Sequence, residues 1–497
     1  MFHYGSFNPR FLGIRLRFDR QSYLAHVANL ESMGSVNWDA LPDTVLGVIG
    51  VIEHETKHFH DSLLSCLLSN IFWLRFTLFL NGHGALECFG KLSGNSGFFP
   101  AKNWITASRN ARSGHSERLR SALREEIDLP DIPYISGGEW DWAHDTVLAS
   151  SPDLRGLSES DKFVRYCLLA IGVHEQIKRH YALAHAAVPH FSVRDVFEMG
   201  AYSVQAIAVR RNASVHVLDR FVSALEFRDS GPGSLFRHVV ELWHEKNASV
   251  QRNLCADLAH CCQIASWAIL GDTYREREAA YPHVRLHRLL EAWRAGRGLN
   301  PDGVPYGKTA YLWDKWDAEL GCKPWRQAVE SAKEGGNRRL EKYSKSPYFR
   351  DQVGRRLMLI AADYADLQRK AIGLLLSDPD GFAVPGRYFD SEWGNSIKPP
   401  ALIINFRDVY QQVKNSELSQ NNVHYWTKQT LLGALTYKYL QLLSKEKDHS
   451  RLDAFRYIHE VGSAIDLFLT GERVEDYEEE WIRNFFAAHF NKRLYRI

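Results

Sequence analysis

The residues whose types and spacing could do chemistry are His54, Glu55 and His58, which form the HExxH string His54-Glu55-Thr56-Lys57-His58. On a helix, positions i and i+4 project from one face. Two imidazoles can then converge on one cation while the intervening carboxylate stands beside them to act on water. The chemistry this spacing predicts is metal-assisted hydrolysis, with Glu55 as general base. Stepping 100° per residue, Gly47, Gly50, His54, His58, Asp61 and Ser65 fall on one stripe. Glycine inside a helix costs roughly 1 kcal/mol relative to alanine, and two lie on this stripe just before the histidines. They call for close approach by another element, either a helix delivering a third ligand or ordinary tight packing. Asp61 is about 10.5 Å along the axis from His54, too far to share an ion comfortably. It could orient an imidazole from behind the metal, or simply pack or face solvent. His60 projects elsewhere and reads as a packing or surface histidine.

This pattern resembles the zincin metallopeptidases, and within them the gluzincin branch, in which a glutamate on a later helix completes the metal site. The matching residues are His54, Glu55 and His58 together with the helix Val193 to Val209, where Glu198, Tyr202 and Gln205 lie along one side and Gly200 and Ala201 are small. The resemblance implies Zn2+ held by His54, His58 and Glu198, a protein or peptide substrate, and a donor to the oxyanion for which Tyr202 is a candidate. The gap to Glu198 is about 140 residues, longer than in compact members. Tyr202 also stands where one gluzincin pattern has an aspartate. The alternative reading of Glu198 is a helix carboxylate that is solvated or paired with Arg194 one turn earlier. The rival cluster, His174 and Glu175 with His180 and His185, has spacings that share no helical face, and these histidines read as structural.

Two other classes remain open on the sequence. Glu55 and His58 also form an ExxH, the half-site of di-iron carboxylate oxidoreductases, but that chemistry wants a second ExxH, and Lys178 occupies the needed offset from Glu175. The third class is a non-catalytic helical scaffold with its histidines packed in a core.

The elements that must position the motif read as mainly α, in an α+β class. The expectation is a zincin-like core with a small sheet, followed by a helical C-terminal region. Phe11 to Phe18 alternates apolar residues with Arg15 and Arg17, the period of an edge strand, which suggests pairing with an extended substrate. Helical patterns run at Tyr23 to Met33, from Pro42-Asp43 to Leu80, at Asp161 to Ala187, and after Ser192, where Ser192 and Asp195 resemble a capping box. Further helices are expected at Leu235 to Lys246, Leu254 to Leu270, Val284 to Arg294, Tyr348 to Leu376, Tyr425 to Lys445, Arg451 to Leu469 and Glu478 to Phe490, with a strand at Leu402 to Phe406. Turn-forming residues mark loops at Asn81 to Gly84, Gly90 to Pro100 and Leu129 to Ser160. A Gly/Pro break at Gly296 to Gly307 divides an expected metallopeptidase domain, 1–300, from a helical region, 301–497.

The 497 residues are 45% hydrophobic with a net charge of +2, enough apolar material for a substantial core and no basic stripe suited to nucleic acid. Seven cysteines without a CxxC pair fit reduced thiols, and the N-terminus lacks a secretory apolar stretch, so the expected location is cytoplasmic. Leu63 to Leu80 is nearly all apolar, but it carries Asn70 and Arg75 and is read as a buried helix rather than a membrane span.

Overall fold

The computed structural model describes residues 5–8, 13–18, 39, 50–92, 98–99, 154, 156–186, 188–189, 191–226, 232–247, 251–273, 277–297, 308–344, 352–397, 401–406, 409–413 and 493–494. The helices expected at Tyr23 to Met33, Tyr425 to Lys445, Arg451 to Leu469 and Glu478 to Phe490 lie outside these residues, as do Gly47 and most of the Leu129 to Ser160 loop.

The motif lies on α1, Val51–Leu64, whose N-cap is Gly50. The helical run expected to continue to Leu80 is broken at Ser65, which is extended (ψ 119°) and whose hydroxyl accepts from the Leu68 N–H as a new helix, α2 (Cys66–Leu92), begins. α2 runs straight through the loop expected at Asn81 to Gly84. Phe76, Leu80 and Cys88 are buried on it, and that burial outweighs the local cost of glycine. Among the described residues no helix is long and apolar enough to cross a membrane.

Next come α3 (Glu159–His185) and α4 (Val193–Asn212). At the start of α4 the Ser192 N–H donates to Asp195 Oδ2 at 2.7 Å, the contact the capping box called for. Then follow α5 (Val215–Glu226), α6 (Pro232–Lys246), α7 (Leu254–Ile269), α8 (Pro282–Arg294), α9 (Thr309–Leu320), α10 (Trp325–Ser344) and α11 (Gln352–Ser377). α4 is the hub. It packs on α1, α5, α6, α7 and α8, and Val196, Met199, Gly200, Ala201, Val204, Ala206 and Val209 are all buried along its length. A helix apolar around most of its girth can only be stable inside others.

The described body is 83% helical, so the expected α+β class, with a small sheet in a zincin-like core, is corrected to a mainly helical fold. The physical reason is that α4, buried along most of its length, is packed by five other helices, so the core around it is built from helix on helix. Short extended segments do pair: β1 (Gly5–Asn8), β2 (Gly13–Phe18), β3 (Ala401–Phe406) and β4 (Val409–Val413), in the order β1-β2-β3-β4, with β1 and β2 against α1. β2 is not the edge strand its alternation suggested. Ile14 sits opposite Phe7 on one side and Leu402 on the other, so β2 has no open edge for a substrate. Local alternation could not show a partner nearly 400 residues away.

Packing divides the chain into two compact units. The first comprises Met1–Phe72, Arg179–Asn337 and Ala362–Val423; the second comprises Trp73–Lys178, Arg338–Ala361 and His424–Ile497. These units interleave along the chain. In the second unit, Trp73 packs near Phe76 and Tyr343, and the Thr77 and Tyr343 hydroxyls lie 2.6 Å apart. The first unit holds a tryptophan cluster in which Trp243, Trp267, Trp293 and Trp316 stack around His260 and one another. The motif belongs to this unit.

Candidate metal centre

α1 and α4 approach most closely at Gly50, the N-cap of α1. A Cβ on Gly50 would come within 2.6 Å of Gln205 Cγ and 2.9 Å of the Gln205 carbonyl oxygen. Glycine at the head of the motif helix thus lets α4 lie close, and α4 is the helix that carries Glu198. Glu198, Tyr202 and Gln205 are spaced i, i+4 and i+7, so all three face α1.

Across this seam three side chains meet. His54 Nε2 is 3.2 Å from Glu198 Oε2, His58 Nε2 is 3.6 Å from the same oxygen, and the two Nε2 atoms are 3.1 Å apart. The three form a group able to hold a metal ion. His54 is buried, while the His58 and Glu198 side chains are 14% and 17% exposed, so the point on which they converge reaches solvent on one side. Tyr202 stands one turn beyond Glu198 with its ring centroid 4.6 Å from that of His54. Glu55 is buried beside the histidines, and no hydrogen bond or ion pair engages its carboxylate among the described residues.

The electrostatics follow from that convergence. Burial lowers the pKa of His58, but the hydrogen bond and charge of Glu198, helped by Glu55 and Asp61, outweigh it and raise the group to about 8. Burial raises Glu198, yet its hydrogen bonds to His54 and His58 hold it well below the usual carboxylate range. His54 Nδ1 is buried with no hydrogen-bond partner. In the neutral imidazole with Nε2 free as a lone pair, Nδ1 carries the proton, so Nε2 is the atom left to bind a cation.

Asp61 makes its contact elsewhere: Lys57 Nζ donates to Asp61 Oδ1, both side chains fully buried, with the ammonium 3.7 Å from the centroid of the Phe382 ring. No hydrogen bond links Asp61 to either imidazole, although its charge acts on both. His60 is a packing histidine. Its Nε2 donates to the Ile397 carbonyl at 2.6 Å and its Nδ1 accepts from the Tyr388 hydroxyl at 2.6 Å, and burial lowers its pKa to about 3. His180 is likewise held by Asn70 and Tyr281. Among the described residues the cluster contains a single carboxylate, whereas a di-iron centre is built on several.

The alternative partner weighed for Glu198 is also present. Arg194 Nε is 3.5 Å from Glu198 Oε1, so one carboxylate oxygen serves the histidines and the other serves the arginine. The Arg194–Glu198 spacing was legible as an i,i+4 pair. That the same carboxylate could satisfy both readings at once was not.

Compared with known proteins, the chain matches no family model, no curated protein and no solved structure.

Proposed function

We propose that the protein is a zinc-dependent hydrolase of peptide or amide bonds, in which His54, His58 and Glu198 hold the metal and Glu55 is the general base. The observation that carries this reading is the spacing of the three ligand atoms, 3.1, 3.2 and 3.6 Å. A tetrahedral zinc with bonds of about 2.0–2.1 Å sets its ligands roughly 3.3 Å apart. Two nitrogens and one oxygen at such spacing, open to solvent on one side, fit a catalytic rather than a closed site. When bound, zinc supplies a Lewis acid for the carbonyl and brings the acidity of water toward neutrality. Glu55, free of other partners, takes the proton of the attacking water and delivers it to the leaving nitrogen. Glu198 and the paired imidazoles supply one negative charge to a dication, which leaves the site net positive where the oxyanion forms.

The test is elemental analysis of protein purified without added metal or chelator, run beside His58→Ala and Glu55→Gln. About one zinc per chain, lost in His58→Ala and kept in Glu55→Gln, is the expected result, with peptide hydrolysis at least about 100-fold slower in Glu55→Gln. Two irons per chain, or no metal in any of the three proteins, would overturn the reading.

A further inference from the structure

Arg194 stands in the first turn of α4, one turn before Glu198. A cation there works against the helix dipole, which favours negative charge at an N-terminus, and the i,i+4 pair with Glu198 offsets that by only a few tenths of a kcal/mol. Its Nε approaches Glu198 Oε1 at 3.5 Å, while the side chain is 70% exposed. Among the described residues Glu198 is the one partner of the guanidinium, and its nearest approach is through Nε. The guanidinium is therefore held near the metal-ligand carboxylate by a single long ion pair, and most of it remains exposed to solvent with donors to spare. The two-pronged edge of a guanidinium is the part of arginine that matches a carboxylate with two parallel hydrogen bonds.

Resting on the hydrolase reading above, we propose that Arg194 docks the substrate's terminal carboxylate, so that the enzyme removes residues from the C-terminus of peptides. The reach of that ion pair sets the register. One carboxylate group, that of Glu198, separates the guanidinium from the point where His54, His58 and Glu198 converge. Successive residues are about 3.8 Å apart, so a carboxylate held on Arg194 leaves space for a single residue between it and a carbonyl at that point. The charges agree. Two neutral imidazoles, one ligand carboxylate and a dication leave a net positive centre, and Arg194 adds a further positive charge at its mouth, which draws an anionic substrate end. In the reaction, the oxygen of water bonds to the penultimate carbonyl carbon and the C–N bond breaks. The proton taken by Glu55 goes to the departing nitrogen, giving a shortened peptide acid and one free amino acid.

A carboxylate can come from the chain end or from an acidic side chain just after the scissile bond, so the experiment uses three acetylated tripeptides. One is Ala-Ala-Phe as the free acid, one is the same peptide as its C-terminal amide, and one is Ala-Ala-Glu amide. Cleavage is measured on zinc-loaded protein, and binding of each peptide to zinc-stripped protein is measured by calorimetry, for the native chain and Arg194→Gln, with zinc content determined for both. The expected result is at least about tenfold higher kcat/KM and tighter binding for the free acid than for either amide. Both preferences should collapse in Arg194→Gln. Preference for the glutamyl amide over the free acid would overturn the terminal assignment. Equal cleavage of all three would overturn the docking role and leave the hydrolase standing. If none is cleaved by zinc-loaded protein, the hydrolase reading fails, and equal binding of acid and amide then overturns the docking role independently.

Discussion

Two histidines on the motif helix, only two residues apart, show what an environment does to one side chain. His58 faces α4, shares a carboxylate oxygen with His54, and is raised to about 8. His60 faces the segment 382–397, has both ring nitrogens satisfied by Tyr388 and Ile397, and is lowered to about 3. On the second side Lys57 and Asp61 close on each other beneath Phe382. One side of α1 thus gathers two imidazole nitrogens and a carboxylate oxygen around a shared, partly exposed point, while on the other every polar group is consumed by the protein. A site that binds an exchangeable ligand is one whose valences the fold leaves unfilled.

The comparison is broken most strongly on the closed side. Lys57→Met leaves the Asp61 carboxylate buried without its cation, and unfolding in urea should show a loss of about 3–5 kcal/mol. Lys57→Met combined with Asp61→Asn should recover much of that loss. A single variant within 1 kcal/mol of the native protein would mean that this side is not closed as described. Next in size is the seam between the two helices. Gly50→Ala puts a methyl group against Gln205 and should cost about 1–3 kcal/mol while weakening zinc binding, because Glu198 rides on the displaced helix. Gly200→Ala, whose Cβ would meet only Ala265 Cβ at 3.3 Å, should cost less and spare the metal.

The smallest effect sharpens the contrast with a histidine remote from the motif. His260 has both ring nitrogens without partners among Trp243, Trp293 and Trp316, and burial, with the nearby His244 that pairs with Asp257, lowers its pKa to about 3. Above pH 6.5 it is neutral both folded and unfolded. Below that pH the unfolded chain takes a proton that the folded chain refuses, so stability falls by about 1.4 kcal/mol per pH unit until the folded pKa is reached. His260→Phe should lessen the slope between pH 6.5 and pH 4 by about 1.4 kcal/mol per pH unit, His60 keeping its own share, and change stability at pH 7 by less than about 1 kcal/mol, since an apolar ring suits an apolar cage. An unchanged slope in urea titrations across that range would show that His260 is not the group responsible.

Much of the candidate site could be read from residue spacing because helix geometry is local. A period of 3.6 residues dictates that His54 and His58 share a face, that glycine on that face admits a neighbour, and that Glu198, Tyr202 and Gln205 line one side of a second helix. What lay beyond reach were relations between segments far apart in the chain. The partner of β2, the interleaving of the two units and the helices that pack around α4 all depend on which surfaces bury each other, and no window along the chain contains that information. The same limit applies within the motif. Asp61 lies on the stripe of His54, yet tertiary packing turned its carboxylate to Lys57 beneath Phe382, a residue more than 300 positions away. The sequence by itself determined that His54 and His58 could converge on a metal, because their spacing is a property of a single helix. Only the tertiary structure decided that Glu198 arrives with one oxygen for the histidines and one for Arg194, because that depends on how closely two helices can approach across a glycine.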